Sequence, residues 1–171
     1  MLLVAESTSF TWRLSVKIVP EKPRFIMVGI QTDKDDDQTK NPSTFDHVNL
    51  KIAYLALNSD RHPMDDYNLA FPAQQFSIAY GDAALIGVKF FSMDELLIQS
   101  NITLKDYKTL YPPFTFDVSK QKEKLKSSVV DIQIKANFTE NVPANTRPFS
   151  LVISDKLLSF QSEGNKMSVV Y

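Results

Sequence analysis

The sequence predicts a largely antiparallel β-sandwich of jelly-roll type, with seven to nine strands and one helical insertion between the third and fourth. Three observations lead there. Most apolar runs alternate with polar residues at a period of two, which gives a strand one buried and one wet face. The connections are long and polar, favouring a jelly roll over a tight meander. Only one stretch, roughly 73–110, changes to helix-favouring composition.

The first strand spans Ser9 to Val19: Phe10, Trp12, Leu14, Val16 and Ile18 face one way, and Thr11, Arg13, Ser15 and Lys17 the other. Pro20 and Pro23 close it, because neither can donate to a sheet ladder. Arg24 to Thr32 is apolar on both faces, with Phe25 and Met27 against Ile26, Val28 and Ile30. A strand of that kind belongs in the middle of a packed layer. The polar stretch Asp33 to Ser43 follows as a loop. Asp33, Asp35 and Asp37 have the one, three, five spacing of a calcium loop. Gln38, however, replaces the turn glycine and Thr44 the bidentate glutamate, so a solvated loop tip is the better reading. His47 to Asn58 reads as the third strand, with Val48, Leu50, Ile52, Tyr54 and Ala56 on one face, and Asn58 to Pro63 as a turn cluster.

From Ala73 to Phe91 the alanines and the step of four through Phe76, Tyr80, Ala84 and Val88 predict a helix, which Gly81 and Gly87 weaken. Ser92-Met93-Asp94-Glu95 has capping-box spacing and predicts a short helix to Gln99; Thr103-Leu104-Lys105-Asp106 predicts another, shorter one. Strands return with Phe114, Phe116 and Val118, then with Val130, Ile132, Ile134, Ala136 and Phe138. Pro148-Phe149 leads into Ser150-Leu151-Val152-Ile153. Lys156 to Gln161 then pairs with Lys166 to Tyr171 across a short link carrying Gly164.

Composition removes several function classes. The 171 residues are the size of one domain, residues 1–171, burying about 70% of the surface the unfolded chain exposes. The charges nearly cancel, 19 Lys+Arg against 20 Asp+Glu, without the basic excess of a dedicated nucleic-acid binder. The chain has no cysteine, which excludes disulfides, thiolate zinc sites and cysteine nucleophiles. Two histidines leave little for histidine-based chemistry. The start, Met1 to Glu6, is too short an apolar stretch for a signal peptide or a membrane span. The expectation is a chain made in the cytoplasm or nucleus and not secreted, with no membrane partner.

Several stretches resemble a known family in collinear order. They are Thr11-Trp12-Arg13 with Glu21 to Thr32, Asn41 to His47, Leu57 to Leu69, Phe116 to Gln121, Val130 to Ile134 and Ile153-Ser154-Asp155. Together they are similar to the double jelly-roll major capsid proteins of Polinton (Maverick) elements and related adintovirus-like viruses, which also occur integrated in animal genomes. The likeness covers most of the chain and lies in order rather than in one chemical motif. It implies a structural, non-catalytic protein of the virion, covering the second, C-terminal jelly roll of a tandem pair. It also implies self-association into a homotrimeric capsomer beside other capsid subunits, with no cofactor and no specific nucleic acid. The insertion, with Phe90, Phe91 and Leu97, is the best candidate for a subunit-facing surface, although packing within the domain explains the same residues.

Other readings are weaker on the residues. His47 and His62 with Asp46, Asp65 and Asp66 can be drawn as a two-His, one-carboxylate iron site of a cupin-type enzyme. Asp46-His47 has the wrong order and spacing for it, and His62 precedes a proline in a turn, so loop histidines are expected. The run Lys120 to Lys126 carries four lysines and one acid; a solvated loop is the simpler reading than a phosphate or subunit contact. No Gly-x-Ser-x-Gly elbow is present, and four glycines make no phosphate-cradling loop. No catalytic, cofactor-binding or metal residue is therefore assigned. The alternative function is a lectin-like ligand-binding sandwich, followed by the cupin-type metal enzyme.

Overall fold

The computed structural model describes residues 7–14, 22–34, 37–58, 60–91, 102–120, 131–155, 159–164 and 166–170. Its strands are β1 (Ser9–Leu14), β2 (Lys22–Thr32), β3 (Leu50–Leu57), β4 (Asp60–His62), β5 (Phe114–Asp117), β6 (Ile132–Phe138), β7 (Thr146–Asp155), β8 (Ser159–Glu163) and β9 (Lys166–Val170). Helices α1 (Ser77–Phe91) and α2 (Leu104–Thr109) lie between β4 and β5. One sheet has the order β1-β6-β3-β4 and a second the order β5-β2-β7; β8 and β9 form a separate hairpin turning through Gly164 at φ 60°.

Three antiparallel pairings nest inside one another. β1 pairs with β6, β2 with β5, and β3 with β4. The outer and inner pairs lie in the first sheet and the middle pair in the second. A long hairpin rolled about its own axis places its strands alternately in two sheets, and that is the jelly roll. β6 also pairs with β3, closing the first sheet.

The period-two residues fill the space between the sheets. Ile26, Val28 and Ile30 of β2 and Phe114 and Phe116 of β5 meet Ala53, Leu55 and Leu57 of β3 and Ile132, Ile134 and Ala136 of β6. β2 is the central strand of its sheet, as its two apolar faces predict. Phe10, Trp12 and Leu14 cover the edge of this core, while Thr11 and Arg13 face water. The helical insertion is fixed by aromatic rings. Phe71 stacks between His47 (4.4 Å) and Phe76 (5.2 Å), and Phe76 and Tyr80 reach Tyr107 of α2 at 5.9 and 5.5 Å. Thr103 caps α2 by accepting from the Asp106 N–H, as its spacing predicts.

Four expectations need correction. The buried face of β3 is not Val48, Leu50, Ile52, Tyr54 and Ala56: the pairing to β6 shifts between Leu50 and Ile52, so burial passes to Ala53, Leu55 and Leu57. One extra residue at a bulge reverses the side-chain parity after it. The turn cluster from Asn58 to Pro63 contains β4, which pairs with β3 through charged residues and has no apolar signal. The insertion therefore lies between the fourth and fifth strands, not the third and fourth. Finally, α1 begins at Ser77 rather than Ala73, because Ala70 bridges to Gln75 and Gln74 takes φ 59°. The predicted strand residues 15–19, the short helix over 92–99 and most of the lysine run lie outside the described residues.

Candidate functional site

The residues that suggest metal chemistry are engaged separately. Asp46 accepts from the Thr32 N–H at 2.9 Å and pairs with Lys34 at 3.0 Å. His47 lies flat on Phe71 and accepts from the Asn49 N–H at 3.0 Å; burial, then the nearby Lys108, lowers its pKa. Asp66 pairs with Arg61, whose guanidinium sits 3.9 Å from the Tyr54 ring centre, and Asp65 is exposed. Among the described residues, no three His, Asp or Glu side chains gather as a metal would require. In the loop after β2, Asp33 binds Lys40 (2.9 Å) and Asp37 caps Thr39. Asp35 lies outside the described residues; Gln38, Thr39 and Asn41 to Ser43 are exposed, as a solvated tip requires, and the base of the loop is held where the side chains of Gln31 and Lys34 both donate to the Thr44 carbonyl.

His62 lines a cleft of about 310 Å³ with Pro63, Tyr67, Asp82, Phe116 and Asp117, a grouping that sequence spacing does not reveal. Its carboxylates have internal partners. The Tyr67 hydroxyl donates to Asp82 at 2.6 Å, and burial followed by this bond pushes the Tyr67 pKa up. Burial acts to raise Asp117, but bonds from Ser119 and the Lys89 ammonium (3.1 Å) outweigh it and hold the carboxyl below its ordinary value. Such an arrangement fastens α1 to β5; it presents no activated nucleophile.

The outer face of the β5-β2-β7 sheet has a different character. Register places Phe25, Met27, Gly29 and Gln31 of β2 on it, opposite Ile153, Leu151, Phe149 and Arg147 of β7. α1 covers the β5 side: Phe90 meets Phe25 edge-on at 6.1 Å, and Thr115 is buried. Phe90, a candidate both for packing within the domain and for a subunit surface, packs on Phe25 while staying 37% exposed, and the Phe91 side chain and Leu97 lie outside the described residues. Gly29 is roofed by Phe45, whose ring would stand 2.5 Å from an added Cβ. On the β7 side the face is bare, with Leu151 56% and Phe149 45% exposed. Exposed Ile78 and Leu85 add to the apolar surface along α1. Exposed large apolar side chains two residues apart on one strand face, as Phe149 and Leu151 are, make that face the candidate contact surface. The sequence signal for it is weak: Leu151 to Ile153 is apolar on both faces, which a central strand would equally show.

Nested strand pairs in two facing sheets define a jelly-roll sandwich of the viral capsid type. The family model for the double jelly roll-like domain matches residues 1–158, and the chain belongs to that family. The β8–β9 hairpin lies beyond the matched residues. Comparison with curated proteins and with solved structures gives no match. Among the described residues, no helix is long and apolar enough to cross a membrane.

Proposed function

We propose that the chain is a structural capsid-type subunit: one jelly roll of a double jelly-roll coat protein of the Polinton (Maverick) kind. It works in the virion by association with copies of itself and with other capsid subunits, and it makes and breaks no covalent bond. The observation that carries this reading is the bare apolar face of the β5-β2-β7 sheet on a chain of the double jelly roll-like family. A sandwich whose interior is already filled by its own side chains has no need of Phe149 and Leu151 for stability, and their exposure is explained by a partner. The collinear stretches from Thr11 to Asp155 support the Polinton assignment and the place as second roll.

Size-exclusion chromatography with light scattering, followed by electron microscopy of the full-length gene product, tests the proposal. Capsomer-like trimers are expected. A uniform monomer, or a specific sugar ligand on a glycan array, would contradict it.

A further inference from the structure

His47 stands where three parts of the fold meet: the turn that enters β3, the segment before α1, and α2. His47 to Leu50 is a turn closed by the Leu50 N–H, which donates to the His47 carbonyl at 2.9 Å. Its two central residues are both left-handed, Val48 at φ 45° and Asn49 at φ 48°. Asparagine tolerates that region, whereas a β-branched valine rarely adopts it and must be held there. Bonds on either side of Asn49 hold it. The Asn49 carbonyl accepts from the N–H and the hydroxyl of Thr139, at 3.0 and 3.1 Å, and the Asn49 N–H donates to His47 Nδ1 at 3.0 Å. A backbone N–H can only donate, so Nδ1 is the unprotonated nitrogen of a neutral ring. The same ring carries the insertion. It lies on Phe71 at 4.4 Å and 6° from parallel, and Phe71, fully buried, passes the stack to Phe76 just before α1 and so to Tyr107 of α2. Among the described residues, the charged groups facing the ring are Lys108 of α2, which opposes a proton, and Asp46 of its own loop, which favours one. Asp46 is already engaged by Lys34 and the Thr32 N–H.

We propose that His47 is an acid latch on the helical insertion: a proton taken up at Nδ1 releases the left-handed turn and the Phe71 stack, so that α1 and α2 lift while the two sheets stay paired. Protonated, Nδ1 and the Asn49 N–H are two donors face to face. The ring must turn toward water to satisfy its new N–H, and turning takes it off Phe71. Burial and Lys108 together make the folded ring bind its proton less readily than the unfolded chain does. Opening is therefore independent of pH above about 6.5, the ordinary histidine value, and grows as the pH falls below it. The uptake of one proton limits that growth to about tenfold per pH unit. Asp131, held down at about 2, titrates well below this window. Lifting α1 bares the β5 side of the outer sheet face, where Phe90 meets Phe25, and extends the surface already exposed at Phe149 and Leu151.

Hydrogen exchange of the full chain between about pH 7.5 and 4.5, corrected for the intrinsic rate at each pH, tests the latch. Protection over 77–91 and 104–109 is expected to fall several-fold, by at most about tenfold per pH unit, while β2, β3 and β6 keep theirs. His47→Asn retains an acceptor near the place of Nδ1 but does not titrate, and its insertion should exchange alike at every pH. His62→Asn, which removes the other histidine, should keep the wild-type response. Lys108→Ala removes the opposing cation, so the acid response shrinks and the ring titration of His47, followed by NMR at its Cε1–H, moves to higher pH. Acid loosening that persists in His47→Asn, disappears in His62→Asn, or spreads evenly over sheets and insertion in the wild type overturns the proposal. If His47→Asn does not fold, Lys108→Ala decides: an unchanged response with an unmoved ring titration overturns it equally.

Discussion

Arg13 and Asp131 join the ends of β1 and β6 by a two-pronged ion pair, Nε to Oδ1 at 2.5 Å and Nη2 to Oδ2 at 2.7 Å. Hydrogen bonds from Arg13 and then Gln133 hold the Asp131 carboxyl down at about 2, against 3.8 for the ordinary group. Between those values the unfolded chain binds the proton and the folded chain does not. The contribution to stability is thus complete above about pH 4 and lost as the pH falls toward 2. Thermal melts from acid to neutral pH are expected to show Asp131→Asn losing stability near neutrality and converging on the wild type at the acid end. Gly29 makes a second residue-scale prediction. Its outer side is filled by the Phe45 ring, so Gly29→Ala should cost about 1–3 kcal/mol in denaturant unfolding. Phe45→Ala in the same chain should make the added methyl harmless. Nothing in the sequence links these two residues, because a glycine within a strand is recognisable while the ring that requires it is not.

At the scale of elements, α1 carries two glycines in its interior, and a Cβ at either would meet open space. Gly81→Ala and Gly87→Ala should each raise stability by about 0.5–1 kcal/mol by chemical denaturation, through helix propensity alone. A loss at either position would show that a partner approaches the helix there. Legibility from sequence also divides by element. β2 reads correctly as a central strand because both its faces are apolar, and α2 because Thr103 and Asp106 have capping spacing. β3 is legible as a strand but not in its facing, since a bulge inverts parity without leaving a compositional trace. β4 is invisible: Asp60-Arg61-His62 joins the sheet through backbone pairing to Leu55, Ala56 and Leu57, and backbone bonds carry no side-chain signal. β7 is legible as a strand, but its place at an edge follows from topology.

For the whole molecule, nested pairing of β1 with β6, β2 with β5 and β3 with β4 makes the core a property of contacts distant in sequence. Phe71 sits where the aromatic stack of the insertion meets the sandwich, fully buried between His47 and Phe76 and edge-on to Phe114. Phe71→Ala is expected to cost about 3–5 kcal/mol in denaturant unfolding and to loosen α1 and α2 in hydrogen exchange before the sheets. The candidate surface was less legible than the fold. Alternation reports which face of a strand is buried in its own chain, whereas a face left bare for another chain looks like one more buried face. Sedimentation velocity of the purified chain over a wide concentration range tests the account most directly. Association into discrete oligomers that deepens with concentration is the predicted result. A single 19.4 kDa species at every concentration would contradict it.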